Sequence, residues 1–508
     1  MPVFVTTAQQ AAARDAAAIA AGTPSSELMA RAGRAATDVL LRRAKDRVQG
    51  GVAIFAGTGN NGGDAWVVAE LLRAQGVVVR VHALGEPSTP DARAARDRAV
   101  HAGPFEPPHG FEAIAVDGVL GTGARGVPRL DVIPALQALA QIRHRGAYVL
   151  ALDVPSGLDA STGEVPPQCV PADSTVTFGT VKRGLLIARG VSGAIDVADI
   201  GLGAHAALAD GAPPLVDEAA VRASIPRITA DAHKGTRGRV AIVGGREGMA
   251  GATILAARGA LRSGAGLVRV VVAAESLAAL QSGVPEATGA TWPVDDAGVE
   301  GALGNPDALV LGPGFGAGAR PVVERILQNV SAPAVLDADA LNAFTGDVVA
   351  LRAALGVRQA VITPHPAECA RLAGVSTDDV LRDRFEIGLR LASMTNAVVV
   401  LKGTPTVVSA PDGRVTVAPV GSPVLATGGS GDVLAGITGA LLAVMSDAHD
   451  AALAAVWAHG TAAELVARTA VRGSALTDVV DALRDAWSHV SAPLPDGLLA
   501  MLPAVGEQ

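Results

Sequence analysis

Short, continuous apolar runs alternate along the chain with longer stretches whose apolar residues recur at helical spacing. GVAIFAG (Gly51–Gly57), VVVRVHAL (Val77–Leu84), AIAVDGVLG (Ala113–Gly121) and AYVLALDVPSG (Ala147–Gly157) are rich in β-branched residues and bounded by Gly or Pro. A strand covered on both faces of a parallel sheet reads this way, because neither face needs a polar set. Between these runs Ala65–Ala74, Asp91–Ala102 and Asp131–Arg143 are predicted helices, and an opening helix is predicted over Thr7–Ala21. The βαβα rhythm implies a doubly wound sheet with helices on both faces. It then begins again with RVAIVGG (Arg239–Gly245), LVRVVVA (Leu267–Ala273), ALVLGPG (Ala308–Gly314), PAVLDAD (Pro333–Asp339), QAVITPHP (Gln359–Pro366) and AVVVLKG (Ala397–Gly403). Strand pattern and Gly/Pro density both change between residues 203 and 220, so two three-layer α/β/α domains are expected, at 1–210 and 211–495. The Pro-rich tail SAPLPDGLLAMLPAVGEQ is expected to be loosely held.

Composition narrows the partners. The 508 residues are 49% hydrophobic, 18% charged and only 3% aromatic, so cores must be built from Ala, Val and Leu. A net charge of −8 argues against nucleic acid or an anionic membrane as partner, since both need basic patches. Cys169 and Cys369 are the only cysteines, which provides no disulfide framework or zinc spacing and suits a reducing compartment. The N-terminus lacks a basic segment followed by an apolar core, and no stretch reaches the roughly 18 apolar residues of a membrane helix. A cytoplasmic protein is expected.

In open α/β sheets ligands bind at the carboxyl ends of the strands. GTGNNGGDAW (Gly57–Trp66) joins a strand to a helix, and its glycines would let backbone N–H groups approach a phosphate. It matches neither of the two familiar glycine-rich nucleotide fingerprints. VDGVLGTGARG carries Asp117 inside an apolar strand, where a carboxylate is costly unless paired or bound to a cation. LDVPSGLD ends its strand at Asp153 and sets Ser156 on the following loop. Asn61, Asp117, Asp153 and Ser156 are hard oxygen donors, suited to a monovalent or hard divalent cation rather than zinc. Each aspartate taken singly is also compatible with turn capping.

The second half supplies TPHPAE (Thr363–Glu368), a rigid turn presenting His365, and VLKGTPTVV (Val400–Val408), with Lys402 just past a strand. In LATGGSGDVLAG (Leu425–Gly436) a helix starting near Ser430 or Gly431 would aim free N–H groups at an anion. Asp432 in that position is poorly explained as a phosphate ligand. It is better explained as a base taking a proton from a hydroxyl that attacks the phosphate, with helix capping as the plain alternative.

NNGGD, VDGVLGTG, DVPSGLD and FGTVKRGLL, preceded by LMARAG, resemble the NAD(P)H-hydrate epimerase domain in order and spacing, over about residues 1–205. HKGTRGRVAIVGG, GMAGATILAARGALRSGAGLV, LGPGFG, TPHPAE, VLKGTPT and ATGGSGDVLAG resemble the ADP-dependent NAD(P)H-hydrate dehydratase domain, over about residues 220–490. The resemblance implies a Rossmann-like first domain and a ribokinase-like second. In the first it implies that Asn60, Asn61, Gly62, Gly63, Asp64, the segment Gly121, Thr122, Gly123, Ala124, Arg125, Gly126 and Val127, and Asp153 face the hydrated dinucleotide. It further implies that Asn61, Asp117 and Ser156 hold K⁺. Asp153 and Lys182 are the expected proton-transfer residues, because epimerisation at C6 must open or dehydrate a carbinolamine. Ala65 stands where the family usually has a further Gly, and the bulky Trp66 follows it.

In the second domain the resemblance implies that Thr253, Gly314, His365 and Asp432 face the hydrate. Lys402, Gly403, Thr404, Pro405, Thr406 and Gly431 would contact ADP or AMP, with Mg²⁺ as cofactor and Asp432 as base. The expected activity is repair of hydrated NADH and NADPH: epimerisation of the R and S forms, then dehydration of S at the expense of ADP. Assembly into a homo-oligomer is also expected. The competing expectation is a ribokinase-like kinase for a small alcohol or vitamin precursor, fused to a nucleotide-binding module.

Overall fold

The structure, a computed structural model, describes residues 2–292, 297–489 and 491–505. The chain divides into two compact units. One runs from the N-terminus to Leu215 and takes in the segment from Ala492, and the other spans Val216–Ser491.

The first unit is built on a seven-stranded sheet in the order Leu498–Leu502, Ala194–Ala198, Ser174–Phe178, Tyr148–Leu152, Ile114–Gly118, Val52–Ala56, Val79–Ala83. Every pairing is parallel except the first. The four predicted strands are present, each shortened by a few residues at its ends. Ser174–Phe178 and Ala194–Ala198 were not predicted, because STVTF and AIDVA interrupt the apolar run with hydroxyls and an acid. Asp196 is buried in its strand and ion-paired to Arg42 and Arg43, which offsets the cost of its burial. Those arginines close a further unpredicted helix, Ser25–Arg43, whose apolar stripe is broken by Arg31, Gly33 and Arg34.

The opening helix is Ala8–Ala20, capped by Thr7, whose side chain accepts from the Gln10 N–H. The tail is not loose as expected. Leu498–Leu502 pairs antiparallel with Ala194–Ala198 and covers an edge that would otherwise leave a row of backbone groups unpaired.

The second unit carries nine strands in the order Thr288–Thr291, Leu267–Val272, Arg239–Val243, Ala308–Leu311, Ala334–Leu336, Ala360–Ile362, Val398–Leu401, Thr406–Ser409, Val415–Ala418. The first seven run parallel, and the last two add an antiparallel meander. All six predicted strands are among the seven. Of the missed ones, TGAT is an exposed edge strand with no apolar run, while TVVS and VTVA are mostly buried but only four residues long and interrupted by hydroxyls. Two apolar clusters flank the sheet, one centred on the helices Ala250–Arg262, Ser430–Leu442 and Ala448–Ala467, the other on Phe344 and Leu351.

Candidate active sites

In the first unit the helix after the first strand begins at Asn60, five residues before its predicted start, so NNGGD forms its first turn rather than a loop. The glycines make this possible. A Cβ at Gly62 would lie 1.9 Å from the Gly57 carbonyl oxygen, so only a bare backbone lets helix and strand approach so closely. Ala65 is buried in contact distance of Gly118, and Trp66 turns away into the core beside Phe105, with ring centroids 6.0 Å apart. The bulk of Trp66 therefore does not enter the site.

A cavity of about 780 Å³ opens at the carboxyl ends of these strands. Asn60, Asn61, Asp64, Asp153, Lys182 and every residue from Gly121 to Val127 line it. Gly62 and Gly63 do not, being packed against Gly57 and Met29. Asp15 of the opening helix lines it too. Nothing local in the sequence marked Asp15, since a lone carboxylate on an Ala-rich helix reads as a solvated face.

Asn61, Asp117 and Ser156 come together beneath the cavity floor. Asp117 and Ser156 are fully buried. Asp117 Oδ2 accepts from the Ser156 N–H at 2.8 Å, Asp117 Oδ1 accepts from the Ser156 hydroxyl and, at 3.3 Å, from the Val119 N–H. Asn61 Nδ2 donates to the carbonyls of Leu120 (2.8 Å) and Leu152 (3.1 Å), which leaves Asn61 Oδ1 buried with no partner among the described residues. Burial pushes the Asp117 carboxyl up, against the pull of its hydrogen bonds. A buried negative charge without a counter-charge and an orphaned carbonyl oxygen beside it are what a bound monovalent cation would satisfy.

Asp153 and Lys182 are paired, Nζ to Oδ1 at 2.5 Å. The aspartate backbone is in the left-handed region (φ 64°), an unfavourable conformation for a side-chain-bearing residue that turns its carboxyl back toward the cavity. Lys182 comes from Val181–Lys182, a two-residue strand parallel to Val5–Thr6.

In the second unit Lys402 and Asp432 meet at the carboxyl ends of the central strands. The helix Ser430–Leu442 starts where predicted, with Asp432 in its first turn. Lys402 donates to Asp337 Oδ1 at 2.8 Å and lies 3.8 Å from Glu368 Oε2. Burial opposes its charge, but Asp337 and Glu368 outweigh that and hold its ammonium above the usual range. Asp432 is pushed up to about 7, first by burial, then by the charge of Asp337, with Asp339 and Glu368 adding and Lys402 opposing. Gly431 fits between these groups: a Cβ there would lie 3.1 Å from Lys402 Nζ and 3.2 Å from Asp337 Oδ2.

His365 caps the helix Pro366–Ala373, its Nδ1 accepting from the N–H groups of Ala367 (3.2 Å) and Glu368 (3.4 Å) while Glu368 returns a bond to the His365 N–H (2.8 Å). Burial and the positive Lys402 lower the imidazole's affinity for a proton, so it is neutral at pH 7. Thr253 is buried, with its hydroxyl donating to the Ala250 carbonyl, and Gly314 is in the left-handed region (φ 65°) against Met249. Gly403, Thr404, Pro405 and Thr406 turn out of the Lys402 strand, with Arg384 donating to the Pro405 carbonyl and Thr406 to that of Gly403. Asp337 and Glu368 are the residues sequence reasoning missed. PAVLDAD was read only as a strand, although the strand-end rule that singled out Asp117 and Asp153 applies equally to Asp337.

A family model described as YjeF-related protein N-terminus matches residues 25–184, and one described as NAD(P)H-hydrate dehydratase matches residues 240–485. The bifunctional NAD(P)H-hydrate repair enzyme Nnr of Escherichia coli is 36% identical over 473 residues, covering 90% of this chain and 88% of the relative. The Vibrio cholerae enzyme of the same name is 38% identical over 440 residues, 83% of this chain and 86% of the relative. Among solved structures, the ADP/ATP-dependent NAD(P)H-hydrate dehydratase of Bacillus subtilis, co-crystallised with ATP/Mg²⁺, is 31% identical with a TM-score of 0.49, covering 54% of this chain and 98% of that one. With both halves matched in order, at this identity and over most of its relatives' length, the chain belongs to the family of bifunctional NAD(P)H-hydrate repair enzymes.

Proposed function

We propose that the chain repairs hydrated NADH and NADPH in the cytoplasm, as a homo-oligomer, with one activity in each unit. The first unit interconverts the R and S epimers, and the second dehydrates the S epimer at the expense of ADP. The observation that carries the reading of the second site is Asp432, a carboxyl held up to about 7 in the first turn of a helix and facing Lys402. A base tuned near the working pH is suited to removing a hydroxyl proton.

Asp432 takes the proton from the C6 hydroxyl, and the resulting alkoxide attacks the β-phosphoryl group of ADP, releasing AMP. The Gly431 N–H, in the first turn of the helix Ser430–Leu442, and the Lys402 ammonium stabilise charge on the transferring group. The ring nitrogen then pushes out phosphate, and loss of a C5 proton restores the dihydropyridine. Lys402 to Thr406 and Gly431 hold the nucleotide, while Thr253, Gly314 and His365 border the hydrate. Asp337 Oδ2, buried and without a partner among the described residues, and Glu368 suit a Mg²⁺ ion, which would supply Lewis-acid neutralisation of phosphate charge when bound. In the first unit Asn61, Asp117 and Ser156 would hold K⁺, fixing the loops that carry Asp153 and Gly121–Val127 around the substrate. Asp153, held by Lys182, handles the proton of the C6 hydroxyl.

The test is incubation with hydrated NADH and either ADP or ATP, following recovery of reduced-nicotinamide absorbance and release of phosphate. Recovery from both epimers with one phosphate per repaired molecule is expected. A stable phosphorylated product without recovery would make the second unit a kinase and reject the reading.

A further inference from the structure

Lys182 is an unpromising proton carrier in this geometry. Its three N–H groups are met by Asp153 Oδ1, the Thr177 hydroxyl at 3.1 Å and the Phe178 carbonyl at 3.1 Å, with the Thr180 carbonyl at 3.4 Å as a fourth acceptor. Its side chain is 3% exposed. Giving up or exchanging a proton would break a bond with no replacement in reach. Asp153 is different. Oδ1 accepts from Lys182, from Thr177 at 3.0 Å and from the Phe178 N–H at 3.3 Å, while Oδ2 has no partner among the described residues and belongs to the cavity lining. The lysine and its neighbours thus clamp one oxygen and leave the other for a ligand.

The second group that opening a carbinolamine requires is close by. Asp64 is 8% exposed, lines the same cavity, and its carboxyl has no hydrogen-bond or ion-pair partner among the described residues. It stands on the helix Asn60–Ala74 and faces Asp15 of the helix Ala8–Ala20, Asp153 of the strand-end turn and Lys182 of the short strand. Two carboxylates against one ammonium leave it the group that keeps its proton.

Resting on the epimerase reading of this cavity, we propose that Asp64 and Asp153 form an acid–base pair that epimerises C6 by opening and reclosing the ring, with Lys182 as a positioning residue. Asp153 Oδ2 removes the proton of the C6 hydroxyl. The C6–O pair becomes the aldehyde C=O, the C6–N1 bond breaks, and its electron pair goes to N1, which takes the proton of Asp64. The resulting enamine is conjugated with the ring carboxamide, which makes N1 an acceptable leaving group. Rotation about C5–C6 presents the opposite face. N1 attacks and returns its proton to Asp64, and the new hydroxyl takes its proton back from Asp153. Each carboxyl ends as it began, and no other reactant is consumed.

Burial holds the Asp64 carboxyl well above the usual carboxylate range, and the charges of Asp153 and Asp15 hold it higher against the opposing Lys182. Epimerisation therefore needs Asp64 protonated and falls as pH rises through its titration. Replacing Asp15 with Asn removes a negative charge that favours the protonated form, so the falling limb moves to lower pH.

The experiment measures the epimer exchange rate of hydrated NADH over a pH series, for the whole chain and for Asp64→Asn and Asp15→Asn, with ADP-dependent dehydration of the S epimer as internal control. Expected are a fall of roughly 10²-fold or more in exchange kcat for Asp64→Asn, with KM little changed and the falling limb gone, and a limb shifted to lower pH for Asp15→Asn. Exchange unchanged in Asp64→Asn, or an Asp15→Asn profile superimposable on that of the parent, overturns the pair. Absence of both activities from the parent chain would instead reject the epimerase reading itself.

Discussion

Asp432→Asn is expected to abolish dehydration and, at pH 8, to stabilise the protein that has lost it. The carboxyl titrates near 7 in the folded chain against an ordinary value of 3.8. Between those values the folded state binds a proton that the unfolded chain has released, so stability falls as pH rises through the interval and stays low above it. At about 1.4 kcal/mol per pH unit, the charged form costs roughly 4 kcal/mol. The favourable position in the first helical turn offsets about 0.5–1 kcal/mol, so desolvation wins and some 3 kcal/mol remains. Asparagine keeps the shape and removes the charge. Urea unfolding followed by tryptophan fluorescence can read this, because Trp292, Trp457 and Trp487 lie in the second unit and only Trp66 in the first. The second-unit transition of the variant should move up by about 1–2 M urea at pH 8 and converge on that of the parent near pH 4. Equal midpoints at pH 8, or a less stable variant, would refute the claim that Asp432 is an uncompensated buried acid.

Three further outcomes follow from the same contacts. Potassium chloride, compared with choline chloride at fixed ionic strength, should raise the melting temperature of the first unit, and Asp117→Asn should remove that increment along with salt-dependent epimerisation. Gly431→Ala places a methyl 3.1 Å from Lys402 Nζ and 3.2 Å from Asp337 Oδ2, and calorimetric titration should show ADP affinity reduced about tenfold or more with the fold intact. Lys402→Met leaves Asp337 buried without its counter-ion, at a cost of about 3–5 kcal/mol in urea unfolding at pH 8.

How much of this was legible in sequence depended on whether a residue's chemistry was announced by its neighbours along the chain. The parallel strands were legible because burial on both faces demands unbroken apolar runs, as in VAIFA and VLAL. The strands TVVS and VTVA were not, since each is only four residues long and its buried Ser409 or Thr416 breaks the apolar run. The start of the helix at Asn60 was placed five residues late because Gly62 and Gly63 lower helix propensity locally. What overrides propensity there is tertiary: Gly62 lets the helix pack against the Gly57 carbonyl, where a Cβ would lie only 1.9 Å away, and Gly63 makes room for Met29.

The two sites also differ in what the strand-end rule could find. Asp117, Asp153 and Ser156 end successive strands of one sheet, so their convergence follows from topology once the strands are known. Asp15 obeys no such rule. It reaches the cavity because the opening helix is anchored by elements far along the chain: Arg14 is buried against Asp210 and the Ala206 carbonyl. A carboxylate delivered by such long-range docking has no signature in its own neighbourhood. Its charge is felt by the group it faces, Asp64, and through Asp64 by the reaction. A residue of this kind shows itself in a pH profile before it shows itself in a motif, and Asp15→Asn is therefore the variant that most directly separates an electrostatic network from a set of independent ligands.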